Sequence, residues 1–344
     1  MDTIVTFGEI MLRLKSPSFE RLFQSPALEA TFGGGEANVA VSLAVLGKRS
    51  VYVTALPEGP LGDAALGELR RHGVDVSRTL RKQGRLGIYF LENGASQRAS
   101  NVVYDREGSS VSRLCAGEVD WQTAFRGATW FHVTGITPAI SAGACDATFE
   151  AVRAAKESGL TVSIDLNYRK KLWNYGKKAA EVMPDLVRLA DVLIANEEDA
   201  QMCLGMGLEG VSVSSGSLAV DSYRELARRV KKDYPNLSRV AITLRESRSA
   251  DRNGWSAVME GMGGFFASRR FEIDDIVDRV GGGDAFAAAL IYSLLERPDD
   301  EAGALEFAVA ASCLKHSIPG DFNLATKREI ETLVAGDGSG RVNR

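Results

Sequence analysis

Short β-branched and aliphatic runs alternate with helical patterns along most of this 344-residue chain, and that alternation restricts its fold more than any other feature. Strand-like segments fall at residues 4–7, 51–54, 129–133, 161–165, 192–195 and 240–243. Helical patterns occupy 36–46, 62–71, 142–158, 179–189, 197–204 and 222–232, with a further helix at 305–315. Apolar strands interleaved with helices predict an α/β fold, a mostly parallel central sheet with helices on both faces. Ligands of such sheets lie beyond the carboxyl ends of the strands. Two stretches, 8–35 and 84–113, are instead rich in alternating and turn-forming sequence. They read as hairpins protruding from the α/β body, either a small β-lid over a site or an ordinary edge meander. Residues 205–220 are rich in Gly and Ser and read as a surface loop, and 336–344 as a disordered tail.

Charge and composition remove several function classes. Lys and Arg number 41 against 45 Asp and Glu, a net charge of −4, which gives no electrostatic case for nucleic acid or an anionic membrane. No apolar run approaches the ~20 residues of a membrane span. The opening Met1-Asp2-Thr3-Ile4-Val5 lacks the basic and apolar regions of a signal peptide. Cys115, Cys145, Cys203 and Cys313 are too scattered for a disulfide framework, and His72, His132 and His316 lack metal-ligand spacing. A reducing cytoplasm is the expected compartment.

Two glycine clusters carry the chemistry. The first is Gly281-Gly282-Gly283-Asp284-Ala285-Phe286, followed at once by the small-apolar run Ala287–Ile291, and the glycines read as opening a helix. A helix start offers unpaired N–H groups and a positive dipole end, so it attracts anions. A carboxylate inside an anion site has a use if it handles protons. A phosphate cradle with a carboxylate at its lip suits phosphoryl transfer to a hydroxyl. The second cluster, Gly33-Gly34-Gly35, also precedes a helix of small residues, and a tight turn needing positive φ would explain it equally well. Neither the dinucleotide fingerprint G-x-G-x-x-G nor a GxxxxGK[ST] P-loop occurs, which argues against a dehydrogenase and the P-loop kinases.

The segment DRVGGGDAF at 278–286 resembles the D-x-x-G-A-G-D-x-F signature of the ribokinase (PfkB) family of carbohydrate kinases. FGGGEANVAVSLAVLG at 32–47 resembles that family's N-terminal signature, and the likeness extends over nearly the whole chain. It implies one ribokinase-like domain over 1–335, with a β-lid from about 8–35 and 84–113. Within the family, GEIMLRL at 8–14, GIYFLENGASQRASNVVYDR at 87–106, DLNYRKKLW at 165–173, NEEDA at 196–200 and KHSIPGDFN at 315–323 look most like 2-keto-3-deoxygluconate kinases. The resemblance implies ATP and Mg²⁺ as cofactors, with a monovalent cation left open. It also implies a small sugar acid as acceptor.

By the same resemblance Asp284 is the general base, and Gly281, Gly282 and Gly283 supply N–H groups to the transferred phosphoryl. Gly282 stands where the family usually has Ala, a change that keeps the N–H. Gly34, Tyr89, Tyr104, Arg106 and Arg169 are implied around the acceptor. A sugar acid calls for a guanidinium on its carboxylate, and Arg106 and Arg169 fit that need. Asn167, Asn196, Thr243 and Arg245 are implied on the nucleotide side, with Asp199 and Glu198 holding Mg²⁺ through water. Asp199 occupies the Glu position of the family's N-x-x-E motif, and Thr243-Leu244-Arg245-Glu246-Ser247-Arg248 replaces its T-x-G-x-x-G, so the loop at 246–254 is expected to take another path around the nucleotide. A kinase of a neutral sugar such as fructose or ribose, and a sugar-sensing module without turnover, remain the alternatives. Exposed hairpin edges invite pairing, so a homodimer through the lid is expected.

Overall fold

The computed structural model describes residues 2–208 and 216–338, with side chains described from 220 in the second stretch. Among the described residues, eight strands follow one path. They are Phe265–Ala267, Asn253–Glu260, Arg239–Ser247, Val192–Ala195, Thr161–Asp165, Trp130–Thr134, Thr3–Phe7 and Arg49–Val53. A ninth, Phe271–Ile273, pairs beside Asn253–Glu260. From Arg239–Ser247 to Arg49–Val53 every pairing is parallel, and the remaining pairs are antiparallel.

Every residue of Thr3–Phe7, Trp130–Thr134 and Val192–Ala195 is buried, as required of strands covered on both faces. Successive side chains alternate between two cores. Val5, Phe131 and Val162 face one, with helices Ala142–Glu157 and Ala179–Val187; Ile4, Trp130 and Val192 face the other. The second core contains the helix Gly282–Glu296, apolar all round and packed between the sheet, Gly35–Val45 and Glu301–Lys315. Register aligns Asp165 with Thr134 and Ile194, so these strands end together at one edge of the sheet.

A second sheet of four strands has the order Glu29–Gly33, Met11–Lys15, Gly87–Glu92, Asn101–Asp105. These strands lie inside the stretches 8–35 and 84–113. Met11, Tyr89 and Leu91 are buried on the face toward Val280, at the entrance to the Gly281 turn. The other face leaves Val103 exposed, as are Phe19 and Phe23 in the segment linking the first two strands.

Several sequence expectations need correction. The strand expected at 240–243 runs on to Ser247 and folds back as a hairpin, pairing Glu246 with Gly254. The expected nucleotide loop at 246–254 is thus the tip of a hairpin, strand at 246–247 and 253–254 with its turn at 248–252. Of the surface loop expected at 205–220, residues 216–220 open the helix Gly216–Asp233, and 209–215 lie outside the described residues. Most of the expected tail, 339–344, also lies outside them; 336–338 follow the helix Lys327–Val334. No helix among the described residues is long and apolar enough to cross a membrane.

Candidate active site

At the shared carboxyl edge of the strands, between the main sheet and the four-stranded one, lies a cleft of about 410 Å³. Its wall brings together all fifteen residues implied by the sequence, Gly34, Tyr89, Tyr104, Arg106, Asn167, Arg169, Asn196, Glu198, Asp199, Thr243, Arg245 and Gly281 through Asp284.

Asp284 sits in the first turn of Gly282–Glu296 and is buried. Its Oδ2 accepts a hydrogen bond from Asn38 Nδ2 at 2.7 Å. Burial pushes the carboxyl pKa up to about 7; Asn38 and the facing Arg169 pull against that shift, while Asp321 and Glu36 add to it. A carboxyl poised near neutrality is suited to take a proton. Gly281 caps the helix in the left-handed region at φ 84°, and a Cβ there would come 2.0 Å from the Asp321 carbonyl oxygen. Only glycine meets both demands. Gly283 faces open space, with nothing within 4 Å of where a Cβ would stand. At Gly282 a Cβ would meet His316 Cε1 at 2.9 Å. The buried His316 ring, neutral with its pKa lowered to about 4 by burial, occupies the room an alanine would need.

The acceptor side combines the four-stranded sheet with the turn after Thr161–Asp165. Tyr89 and Tyr104 pair with ring centroids 6.0 Å apart, but the Tyr89 hydroxyl donates to Asp321 Oδ1 at 2.5 Å and is already engaged. Arg106 is buried, lies against the Tyr104 ring, and forms an ion pair with Glu9. Its charge is therefore largely neutralised, although its Nε has no partner. Arg169 differs. It is exposed on the cleft, donates to the Tyr168 carbonyl at 2.9 Å, and faces the carboxylates of Asp165, Asp199 and Asp284.

On the other side, Asn196 caps the helix Glu197–Leu204, its Oδ1 accepting from Asp199 N–H at 2.8 Å. Asp199 returns the bond from Asn196 N–H at 3.1 Å and also accepts from Tyr168 N–H at 2.8 Å. Both its oxygens thus serve the backbone, whereas the adjoining Glu198 is exposed on the cleft wall. Burial still raises the Asp199 pKa to about 6. Asn167 has the left-handed φ of 39°, and its buried Oδ1 has no partner. Thr243 sits beside the Ala195 carbonyl. The Arg245 guanidinium rests 5.3 Å from the centre of the Trp255 ring.

Sequence reasoning missed Asn38, Asp165, Glu36, Asp321 and Arg279. Asn38 lay inside the quoted N-terminal signature, yet its contact with Asp284 spans 246 positions. Asp165 ends its strand buried among carboxylates, and burial with the facing Asp199 and Asp284 lifts its pKa well above the usual range. Glu36 is buried and accepts from Thr134 N–H, Thr134 Oγ1 and Thr137 Oγ1, fixing the Gly33–Gly35 turn to the sheet edge. A glutamate in the first turn of a small-apolar helix was the available signal. Arg279 lines the cleft and donates to the Ala250 carbonyl at 2.6 Å.

The sequence matches the family profile described as pfkB family carbohydrate kinase over residues 1–325. A 2-dehydro-3-deoxygalactonokinase of Haloferax volcanii is 33% identical, covering 98% of each chain. A 2-dehydro-3-deoxygluconokinase of Bacillus subtilis is 31% identical, covering 96% of this chain and 95% of that one. The crystal structure of 2-dehydro-3-deoxygluconokinase from Thermotoga maritima superposes with a TM-score of 0.91 at 47% identity, over 98% of this chain and all of that one. With both signatures lining one cleft and the likeness running from end to end, the chain belongs to the pfkB family of carbohydrate kinases and has its ribokinase-like fold.

Proposed function

We propose that the protein transfers the γ-phosphoryl of ATP to the primary hydroxyl of a 2-keto-3-deoxy sugar acid, 2-keto-3-deoxygluconate at O6. The observation that carries this reading is a buried carboxyl of near-neutral pKa, Asp284, at the glycine-rich start of a helix and facing the cleft-exposed guanidinium of Arg169. The sugar-acid specificity is supported by the names of the relatives that match over nearly the whole chain.

In this reading Asp284 removes the proton from the acceptor hydroxyl as its oxygen bonds to the γ-phosphorus. The bond from phosphorus to the β–γ bridging oxygen breaks, and ADP leaves with that electron pair. The N–H groups of Gly281–Gly283 and the helix dipole stabilise the charge on the moving phosphoryl. Arg169 binds the substrate carboxylate. Arg106, already paired with Glu9, orients the acceptor beside Tyr104. Arg245 and Arg279 face the donor phosphates and replace glycine N–H groups with charge.

Mg²⁺ neutralises donor phosphate charge when bound. No group of three His, Cys, Asp or Glu among the described residues can hold a metal ion by itself, but the oxygen-only donors of the cleft suit an ion carried largely by phosphate and water. Glu198, the partnerless Asn167 Oδ1 and Asp199 would sit beyond that water. The exposed Val103 of the four-stranded sheet, with Phe19 and Phe23 of its first connection, supports a homodimer through this lid. The four unpaired cysteines accord with a reducing cytoplasm.

The test is ADP release measured over 2-keto-3-deoxygluconate, its galactonate epimer, fructose, ribose and gluconate. Turnover of the keto-deoxy acids, lost by about 10² or more in Asp284→Asn, is the expected result. Equal turnover of fructose would instead make this a neutral-sugar kinase. Saturable binding with no ADP release would make it a sensor.

A further inference from the structure

The helix Glu301–Lys315 ends in a lysine that is 0% exposed. Lysines are almost never fully buried without a partner, because desolvating an ammonium costs several kcal/mol. The two hydrogen bonds of Lys315 Nζ go to carbonyl oxygens, that of Asp278 at 3.3 Å and that of Ile318 at 3.0 Å. The neighbouring carboxylates of Asp278 and Asp321 are both occupied by Arg13. A buried cation held by backbone carbonyls is the arrangement by which proteins replace the hydration shell of a monovalent ion.

The position explains the arrangement. Asp278 leads into the Gly281 turn, and residues 316–321 back it from below. Asp278 N–H donates to the His316 carbonyl at 3.2 Å, Gly320 N–H to Asp278 Oδ2 at 3.1 Å, and the Asp321 carbonyl lies where a Gly281 Cβ would be. The lysine stem passes beneath the same glycine, its Cε 3.3 Å from that Cβ position. We propose that Lys315 is a positioning residue of the phosphoryl cradle, a resident cation that ties the two cradle loops together and makes a bound monovalent ion unnecessary. The proposal rests on the reading of Gly281–Gly283 as that cradle.

The groups facing the ammonium are Asp278 and Asp321 on the two loops, Asp284 on the catalytic helix, Arg13 from the four-stranded sheet and the adjoining His316. Burial pulls the Lys315 pKa down, and the three carboxylates act to raise it. Removing the charge therefore takes a favourable neighbour from the Asp284 carboxylate, so its pKa should rise.

The experiment measures kcat, KM and the pH–rate profile of the wild type, Lys315→Met and Asp284→Asn, in chlorides of potassium, sodium, ammonium and tetramethylammonium at fixed ionic strength. The wild type should turn over at the same rate, within about twofold, in all four salts. Lys315→Met should lose about tenfold or more in kcat with little change in acceptor KM, show its acid limb at higher pH, and recover partly in ammonium or potassium. Severalfold activation of the wild type by potassium would overturn the proposal, and that measurement stands even if Lys315→Met fails to fold. So would a folded Lys315→Met with wild-type kcat, or one whose loss is accompanied by neither a shifted acid limb nor any response to cations. An active Asp284→Asn would instead bring down the cradle reading itself, whereas an inactive Asp284→Asn beside an indifferent Lys315→Met would remove the lysine alone.

Discussion

Asp284 has two opposing influences on its proton, burial that favours the acid and Asn38 with Arg169 that favour the carboxylate. As the proposed general base Asp284 would work deprotonated, so kcat/KM should rise with pH, bend near 7 and flatten above it. Asn38→Ala removes a bond to the charged form, and its acid limb should move to higher pH in the same profile. Arg169→Ala should raise KM for the acid substrate about tenfold or more while changing KM for a neutral sugar little; steady-state kinetics on both distinguishes the roles. At this scale the sequence was most readable where a motif packs its residues together, as in Gly281–Asp284. It was least readable for Asn38, Asp165 and Asp321, because their significance comes from partners remote in the chain. Arg106 shows a subtler limit: its identity was plain, but the Glu9 that neutralises it could not be paired with it from sequence.

Among the elements, the buried strands and their helices were legible because continuous apolar runs leave few alternatives. The hairpin Arg239–Glu260 was not, since beyond Thr243 its strand carries Arg245, Glu246 and Ser247, polar residues that look like loop. That strand has left the covered centre of the sheet, and its side chains no longer need to be apolar on both faces. The absent glycine segment of the family becomes intelligible there: a paired strand with a guanidinium laid on Trp255 stands where a glycine loop was expected. Between the two sheets, Arg13 is 1% exposed and joins Met11–Lys15 to both Asp278 and Asp321. Removing one partner of a buried ion cluster strands the others, so Arg13→Met should cost about 3–5 kcal/mol in urea unfolding. Activity should fall with it, because Asp278 opens the turn that holds Gly281.

For the molecule as a whole, the parallel sheet places every strand end of the site on one edge, and the smaller sheet covers it from the opposite side. Phe23, 71% exposed, is the most solvent-open large apolar side chain of the smaller sheet's connections. Phe23→Asp should convert the expected dimer to a monomer in light scattering at micromolar concentration. The alternating stretches pointed to strands outside the main sheet, and a separate four-stranded sheet is found there, but its attachment could not be read from them. Arg13 and the Tyr89 hydroxyl, both on its two central strands, are anchored to the floor of the cleft through Asp278 and Asp321. A cover bolted down through its middle does not swing like a hinged door. The expected way in for reactants is therefore the edge strand Asn101–Asp105 and its flanking turns, which carry no such anchor. Amide exchange should be fast along that margin and slow along Met11–Lys15, dividing one small sheet into a fixed half and a breathing half.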